Sequence, residues 1–262
     1  MPKNGRREEN GLYMTRVVGH LLFTGLLALS VGLSDARADH LYLHSPYDVE
    51  QGKLEATYFL DAILNTPIAT FGPLPREGLL LHTASLSYGL TDRWSIEGFM
   101  DFVEPTRGGK NQFTYVDSKF HTLYRVLDRE GYLPAVGLLV GYTVPRRQFT
   151  HSDRLEVQLL TESRTERWMI RLNPTVIADA QNTKFGYEAG LYGFWRQTVR
   201  LGLESFSNIG PLRPSQQGLV QHSVGPAVQF EWGRISWDLG IQFGLNNFSD
   251  DVAIKSIIDF HF

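Results

Sequence analysis

The sequence predicts an all-β protein: a transmembrane, antiparallel, up-and-down β-barrel of about 12 strands, following a cleaved N-terminal signal peptide. Apolar residues alternate with polar or small ones along most of the chain, and most alternating segments run for about ten to thirteen residues. A strand that crosses a bilayer needs about 9–11 residues, whereas strands of soluble proteins have about five or six. Period and length together therefore favour a membrane barrel over a soluble sandwich.

The composition excludes several other classes of protein. The chain has 262 residues, of which 42% are hydrophobic and 12% aromatic, and this is too apolar for a disordered protein. Its formal net charge of −3 lacks the basic excess of a nucleic-acid binder, so we expect no nucleic-acid partner. The chain contains no cysteine, which excludes disulfides and thiolate metal sites, and we expect no metal or cofactor.

The N-terminus has the layout of a secretory signal peptide. The apolar run from Val17 to Ser34 follows Arg16 and precedes a small-x-small cleavage site, Ala-Arg-Ala, at 36–38. Met14 offers a start that gives a signal of ordinary length. The alternative is an uncleaved anchor helix, but the cleavage site favours removal.

The remaining chain divides into two predicted parts. With 1–38 as the signal peptide, residues 39–51 form a flexible N-terminal segment in the periplasm, and residues 52–262 form the barrel.

Twelve segments carry the alternating pattern, in which residues of one parity point to one face of a strand. They are predicted at 52–64, 79–90, 93–103, 113–127, 134–146, 154–163, 167–179, 185–195, 198–209, 222–232, 235–246 and 252–262. Large apolar residues of one parity include Trp94, Ile96, Met100 and Phe102 in the third segment, Trp168, Ile170, Leu172, Pro174 and Val176 in the seventh, Val199, Leu201 and Leu203 in the ninth, and Ile235, Trp237, Leu239, Ile241, Phe243 and Leu245 in the eleventh.

The connections alternate between short and long. Tight turns are predicted near 91–92, 128–133, 164–166, 196–197 and 233–234, and longer loops at 65–78, 104–112, 147–153, 180–184, 210–221 and 247–251. Outer-membrane barrels have short turns on the periplasmic side and longer loops outside. All five tryptophans lie beside predicted short turns, as expected for an interfacial aromatic girdle.

Two stretches resemble known outer-membrane proteins. The final residues Ile-Ile-Asp-Phe-His-Phe, ending at Phe262, resemble the C-terminal signal that the barrel-assembly machinery reads in Gram-negative bacteria. The stretch YGLTDRWSIEGFMDFV, from Tyr88 to Val103, resembles the strand–turn–strand unit of outer-membrane transporter-like proteins of the MetA pathway of phenol degradation. The resemblance implies an outer-membrane location, with membrane lipid and the assembly machinery as partners, and it supplies no catalytic residues.

If the apolar faces meet lipid, the opposite faces line the lumen and carry charges of both signs. An inward direction is expected because Arg or Lys facing lipid at the bilayer midplane costs about 2–4 kcal/mol. The predicted pore-lining or constriction residues, with the arginines facing the glutamates, are Glu97, Lys119, Arg125, Arg171, Glu188, Arg200, Glu204 and Glu231. Barrels of about eight strands are filled by side chains and those of about sixteen leave a channel, so twelve strands leave open whether the lumen conducts or is closed by paired charges.

The favoured function is passive passage of a small solute, hydrophobic or aromatic, through the barrel. The first alternative is a non-conducting structural or partner-binding barrel of the envelope. The second is an outer-membrane lipid hydrolase, and we expect no enzyme because Ser85 and Ser223 face away from His82 and His222 on their own strands. The loop 65–78 contains three prolines and is stiff enough to cap the mouth.

Overall fold

The computed structural model describes residues 41–262, apart from 49, 107–112, 132, 151, 181, 197 and 212–219. The predicted signal peptide at 1–38 and the alternative start at Met14 therefore lie outside the described residues.

Twelve strands of the described chain form a closed barrel in which neighbouring strands run antiparallel. The barrel strands are β1 (Leu54–Asn65), β4 (Leu79–Thr91), β5 (Trp94–Pro105), β6 (Thr114–Leu127), β7 (Ala135–Pro145), β8 (Arg154–Arg164), β9 (Trp168–Asp179), β10 (Thr183–Arg196), β11 (Val199–Pro211), β12 (Gln221–Trp232), β13 (Ile235–Gly244) and β14 (Val252–His261). Each pairs with the next barrel strand along the chain, and β14 closes the barrel against β1. The predicted fold class is confirmed, and every predicted segment boundary lies within about two residues of the observed strand end.

Two further strands lie inside a connection that the sequence predicts as a plain loop. β2 (Thr70–Phe71) and β3 (Leu74–Pro75) form a two-residue hairpin between β1 and β4. Strands this short carry no readable alternation, so no sequence pattern could have found them. No helix among the described residues is long and apolar enough to cross a membrane.

The two ends of the barrel differ in their connections. We call the end where β1 begins and β14 ends the short-turn end, because β4 and β5 are joined there by residues 92–93, and β12 and β13 by 233–234. The opposite, long-loop end carries 66–78, 146–153 and 245–251. The alternation is not strict, since only residues 180–182 join β9 to β10 at the long-loop end.

The outer face of the barrel is a continuous apolar surface. Ile235, Trp237, Ile241 and Phe243 of β13 are each at least 40% exposed, whereas Gln242 between them is 1% exposed. Such exposure of large apolar side chains is favourable only if the face meets lipid, and a closed barrel leaves no unpaired strand edge in the bilayer. The predicted assignment of the two faces is therefore confirmed for this strand.

The tryptophans mark the edge of this apolar surface. Trp94 and Trp168 begin β5 and β9, Trp232 ends β12, Trp195 is the next-to-last residue of β10, and all four are at least 40% exposed at the short-turn end. Trp237 lies two residues into β13 on the same outer face. An indole ring with its apolar body in lipid and its N–H near water is stable at such a boundary, so these residues form one girdle.

A proline interrupts the hydrogen-bonded ladder between β8 and β9. The pairing passes from Gln158 opposite Thr175 to Glu162 opposite Arg171, and so skips the neighbourhood of Pro174. Proline has no N–H to donate to a ladder. The Asn173 side chain compensates, because its Oδ1 accepts a hydrogen bond of 3.2 Å from the backbone N–H of residue 161.

The C-terminal residue extends the closing seam. The backbone N–H of Phe262 donates to the carbonyl of Leu54 at 2.9 Å, and the Phe262 ring is 61% exposed. Recognition of this strand by the barrel-assembly machinery stays a prediction.

Candidate functional site

Residues 41–48, which we call the plug, lie inside the barrel. Leu41, Leu43, His44 and Ser45 are each no more than 9% exposed. The plug connects to β1 at the short-turn end, where the N–H of Gly52 donates to the carbonyl of Gly89 at 2.8 Å. The expectation of a flexible segment over 39–51 is therefore wrong for 41–46. The periplasmic location predicted for this segment stays a prediction.

Side chains of β8 and β9 hold the plug by its polar groups. Arg171 Nη1 donates to the carbonyl of residue 43 at 3.1 Å, and Asn173 Nδ2 donates to the carbonyl of residue 44 at 2.9 Å. Ser45 Oγ donates to Glu162 Oε2 at 2.8 Å, and Arg171 Nε donates to the same carboxylate oxygen at 2.8 Å. These bonds satisfy carbonyls that would otherwise be buried without partners.

Apolar contacts seat the plug against β9, β10 and β12 on one side and against β1 on the other. Leu43, 2% exposed, forms a cluster with Met169, Tyr192 and Ala227. A Cβ at Gly190 would lie only 2.4 Å from Leu43 Cδ2, so a larger residue at this position of β10 would force the Leu43 side chain to shift. The Tyr42 ring packs edge-on against Phe59 at 5.4 Å.

His44 is the titratable group at the centre of the plug. Its Nδ1 lies 3.4 Å from Asp48 Oδ2, and its ring lies 5.7 Å from that of His121. Burial lowers the pKa of His44, but the hydrogen bond and charge of Asp48, with the charges of Glu188 and Glu97, outweigh it and raise the pKa above 6.5. The surrounding carboxylates therefore favour the protonated imidazole in the docked plug.

The plug lies between two cavities. The outer chamber at the long-loop end encloses about 980 Å³, its mouth included, and Leu41 of the plug is part of its lining. The inner vestibule at the short-turn end encloses about 2210 Å³ and is lined by Tyr42, Ser45, Tyr47 and Asp48. The plug therefore contributes side chains to the lining of both cavities.

Part of the long-loop end is covered by its own loops. Phe71 of β2 packs on Phe149 at 5.9 Å, and Arg76 is fully buried in a two-bond contact with Asp250, with distances of 2.7 and 2.6 Å. The loop 65–78 therefore folds against the interior, in agreement with its predicted tendency to cap the mouth.

The eight predicted constriction residues occupy inward-facing positions, but they do not form one ring. Arg200 pairs with Glu231 as predicted. Four of the others form ion pairs with residues outside the predicted set: Arg171 with Glu162 at 2.8 Å, Glu204 with Lys255 at 2.5 Å, Lys119 with Asp101 at 3.1 Å and Arg125 with Asp128 at 2.8 Å. Glu188 accepts a hydrogen bond of 3.4 Å from Asn173 Nδ2. Glu97 stands opposite His121 in the β5–β6 register. Whether they govern passage stays a prediction.

The predicted constriction set leaves out the residues that complete these pairs and hold the plug. Glu162, Lys255 and Asp101 lie on inward-facing parities, so alternation marks them as interior residues, but it cannot choose partners across strands. Asn173 and Gln242 are uncharged, so a search for charged residues does not find them. The plug itself has no periodic pattern, and its only signal is the apolar group Leu-Tyr-Leu at 41–43.

Solved outer-membrane barrels share this fold. The COG4313 outer membrane channel from Pseudomonas putida F1 matches with a TM-score of 0.61 at 13% sequence identity, covering 87% of this chain and 100% of that chain. The KdgM porin matches with a TM-score of 0.56 at 5% identity, covering 79% and 99%. No protein-family model and no curated protein matches the chain. Together with the apolar outer face, the fold places this chain in the outer membrane of a Gram-negative bacterium.

The β11–β12 register brings together one serine and one histidine that the sequence could not pair. Ser207 of β11 stands opposite His222 of β12 in the strand register. Ser207 Oγ has no hydrogen-bond partner among the described residues. His82, the other candidate base, contacts Tyr58 Oη at 2.6 Å and Glu104 at 3.7 Å. A hydrolase needs a nucleophile bonded to its base, and neither histidine meets that requirement here.

Proposed function

We propose that this protein is a gated outer-membrane channel for a small solute, closed by its plug. The observation that carries the proposal is the position of residues 41–46, which lie buried across the lumen between two cavities. The plug belongs to the chain but not to the ladder, so it can leave while all twelve strands stay paired. Opening then requires only the loss of the plug's local contacts.

A hydrophobic or aromatic solute fits this channel best. The outer chamber is walled in part by Leu41, Ile63, Leu81 and Phe206.

The test is to lock the plug in place. A Cβ at Gly137 would lie 3.4 Å from Pro46 Cβ, close to the separation of about 3.5–4.5 Å that a disulfide needs. The chain has no cysteine of its own, so Pro46→Cys/Gly137→Cys introduces a single pair between the plug and β7. The two single-cysteine variants serve as controls.

We expect the oxidised double variant to carry no steady current in planar bilayers, and reduction to restore the channel openings of the unmodified chain. The controls should not respond to reductant. Equal currents in the oxidised and reduced states would show that the plug does not gate. Silence in every state, with heat-modifiable migration confirming the barrel, would favour the non-conducting structural barrel, which the paired interior charges also support.

A further inference from the structure

One buried amide in the outer chamber lacks a hydrogen-bond partner within the part of the chain that the structure describes. Gln242 of β13 is 1% exposed and faces the chamber, and neither its Oε1 nor its Nε2 has a hydrogen-bond partner among the described residues. A carboxamide can donate two hydrogen bonds and accept two. Leaving both of its polar atoms unpaired in a buried place is unfavourable, and such groups mark a strained or ligand-binding position.

The strand register accounts for the unpaired state of this amide. Gln242 stands opposite Ala253 of β14, which offers only a methyl group. On the other side, the β12–β13 ladder is interrupted at Gly225 and Pro226, and Gly225 has no side chain. Because neither neighbouring strand presents a polar side chain at this level, the amide is directed into the chamber.

The remaining lining selects the kind of molecule that could pair with Gln242. Leu41, Ile63, Leu81 and Phe206 supply apolar surface, and a pocket with apolar walls and few polar groups is typical of small-molecule sites. The charged residues of the lining are four carboxylates and one lysine: Asp61, Glu156, Glu188, Asp250 and Lys184. This balance disfavours an anion.

We propose that the outer chamber is a binding site for a small uncharged molecule with an apolar body and one group that both donates and accepts hydrogen bonds. A primary amide is the matching group, since it can form a paired contact with the Gln242 carboxamide. The inference rests on the proposed function only in placing this site on the path of the solute.

Benzamide is a suitable probe, with toluene and benzoate as matched ligands that lack the hydrogen-bonding group or carry a negative charge. Binding is measured by isothermal titration calorimetry on the refolded full barrel in detergent. We expect Gln242→Leu to weaken benzamide binding by about tenfold or more, because a site built for a hydrogen bond discriminates strongly against its loss. Toluene should bind both forms within about twofold, and benzoate should bind both weakly.

Gln148→Leu is the control variant. Gln148 is exposed in the connection 146–153 and does not line the chamber, so its loss should leave benzamide affinity unchanged. Equal benzamide affinity in native protein and Gln242→Leu would overturn the proposal, and would mean that the amide is only hydrated. Absence of benzamide binding to the folded native barrel would overturn it as well.

The same titration on the oxidised Pro46→Cys/Gly137→Cys barrel separates this site from the gating mechanism. Binding that persists in the locked barrel, together with currents that do not change with the lock, would leave the site standing and refute the gate. A gate that responds to reductant in a barrel that does not bind benzamide would refute the site alone.

Discussion

Replacing Leu43 by alanine should shift the plug towards the open state. Leu43 is 2% exposed and packs on Met169, Tyr192 and Ala227. Burial of a leucine side chain is worth about 1.5–3 kcal/mol, and truncation of well-packed leucines to alanine costs about 2–5 kcal/mol. Because a segment outside the ladder can relax more than a barrel strand can, we expect the lower part of this range, about 2–3 kcal/mol. This corresponds to an increase of about 30- to 150-fold in the ratio of open to docked plug.

The assay is thiol labelling of Ser45→Cys in a chain that has no other cysteine. Ser45 is 3% exposed, so a water-soluble maleimide can reach the thiol only when the plug leaves its place. Every variant carries the same substitution, and the lost bond to Glu162 therefore cancels between them. Labelling of the Leu43→Ala variant should be faster by the factor above, and single-channel open probability should rise with it.

Leu191→Ala is the matched control, since Leu191 belongs to the same strand as Gly190 but is 51% exposed on the lipid face. Its labelling rate should equal that of the parent. If Leu43→Ala labels no faster than Leu191→Ala, Leu43 does not hold the plug closed and the gating argument fails.

Three further predictions concern charge and burial. The raised pKa of His44 stabilises the docked plug fully below pH 6.5 and less as the pH rises through the docked pKa. Because the thiolate is the form that reacts, labelling quickens with pH in every variant, so the comparison is made at equal pH: the rate of Ser45→Cys divided by that of Ser45→Cys/His44→Gln should be larger at pH 8 than at pH 6. Lys255→Met should lower the free energy of unfolding by about 3–5 kcal/mol in urea titrations because it strands two buried carboxylates, with Lys255→Met/Glu204→Gln recovering part of the loss. Leu86→Arg on the lipid face should lower the free energy of unfolding in lipid vesicles by about 2–4 kcal/mol. An unchanged midpoint of urea unfolding would show that Leu86 does not face lipid.

Alternation predicted the barrel well because it reports one physical fact, the difference between lipid and lumen, at every second residue. In β13 the exposed Ile241 and Phe243 flank the buried Gln242, as the sequence pattern requires. Strand ends followed from the same signal, since the pattern stops where the chain leaves the bilayer.

The site was less predictable because it depends on register and on a segment without a period. Arg171 could be placed inside from its parity, but its partner Glu162 is chosen by the β8–β9 pairing, which Pro174 disturbs. The plug is held by carbonyl groups, which every residue has, so no residue type indicates it. Gly190, a small residue facing Leu43, fits the plug, but a single glycine in a strand also occurs at bulges and tight bends and so does not reveal it.

The interior chemistry is compatible with the proposed gate, in which the plug leaves while the barrel stays folded. Charged side chains could close the lumen by themselves only if they paired across its width. The charges here pair mostly with residues on the same or an adjacent strand, as Lys119 does with Asp101. These pairs satisfy the buried charges whether or not the plug is docked. In the proposed gate, the plug closes the lumen through contacts that the barrel wall can lose without unfolding. Since no ladder hydrogen bond depends on it, the barrel can remain stable in the bilayer while the lumen changes state.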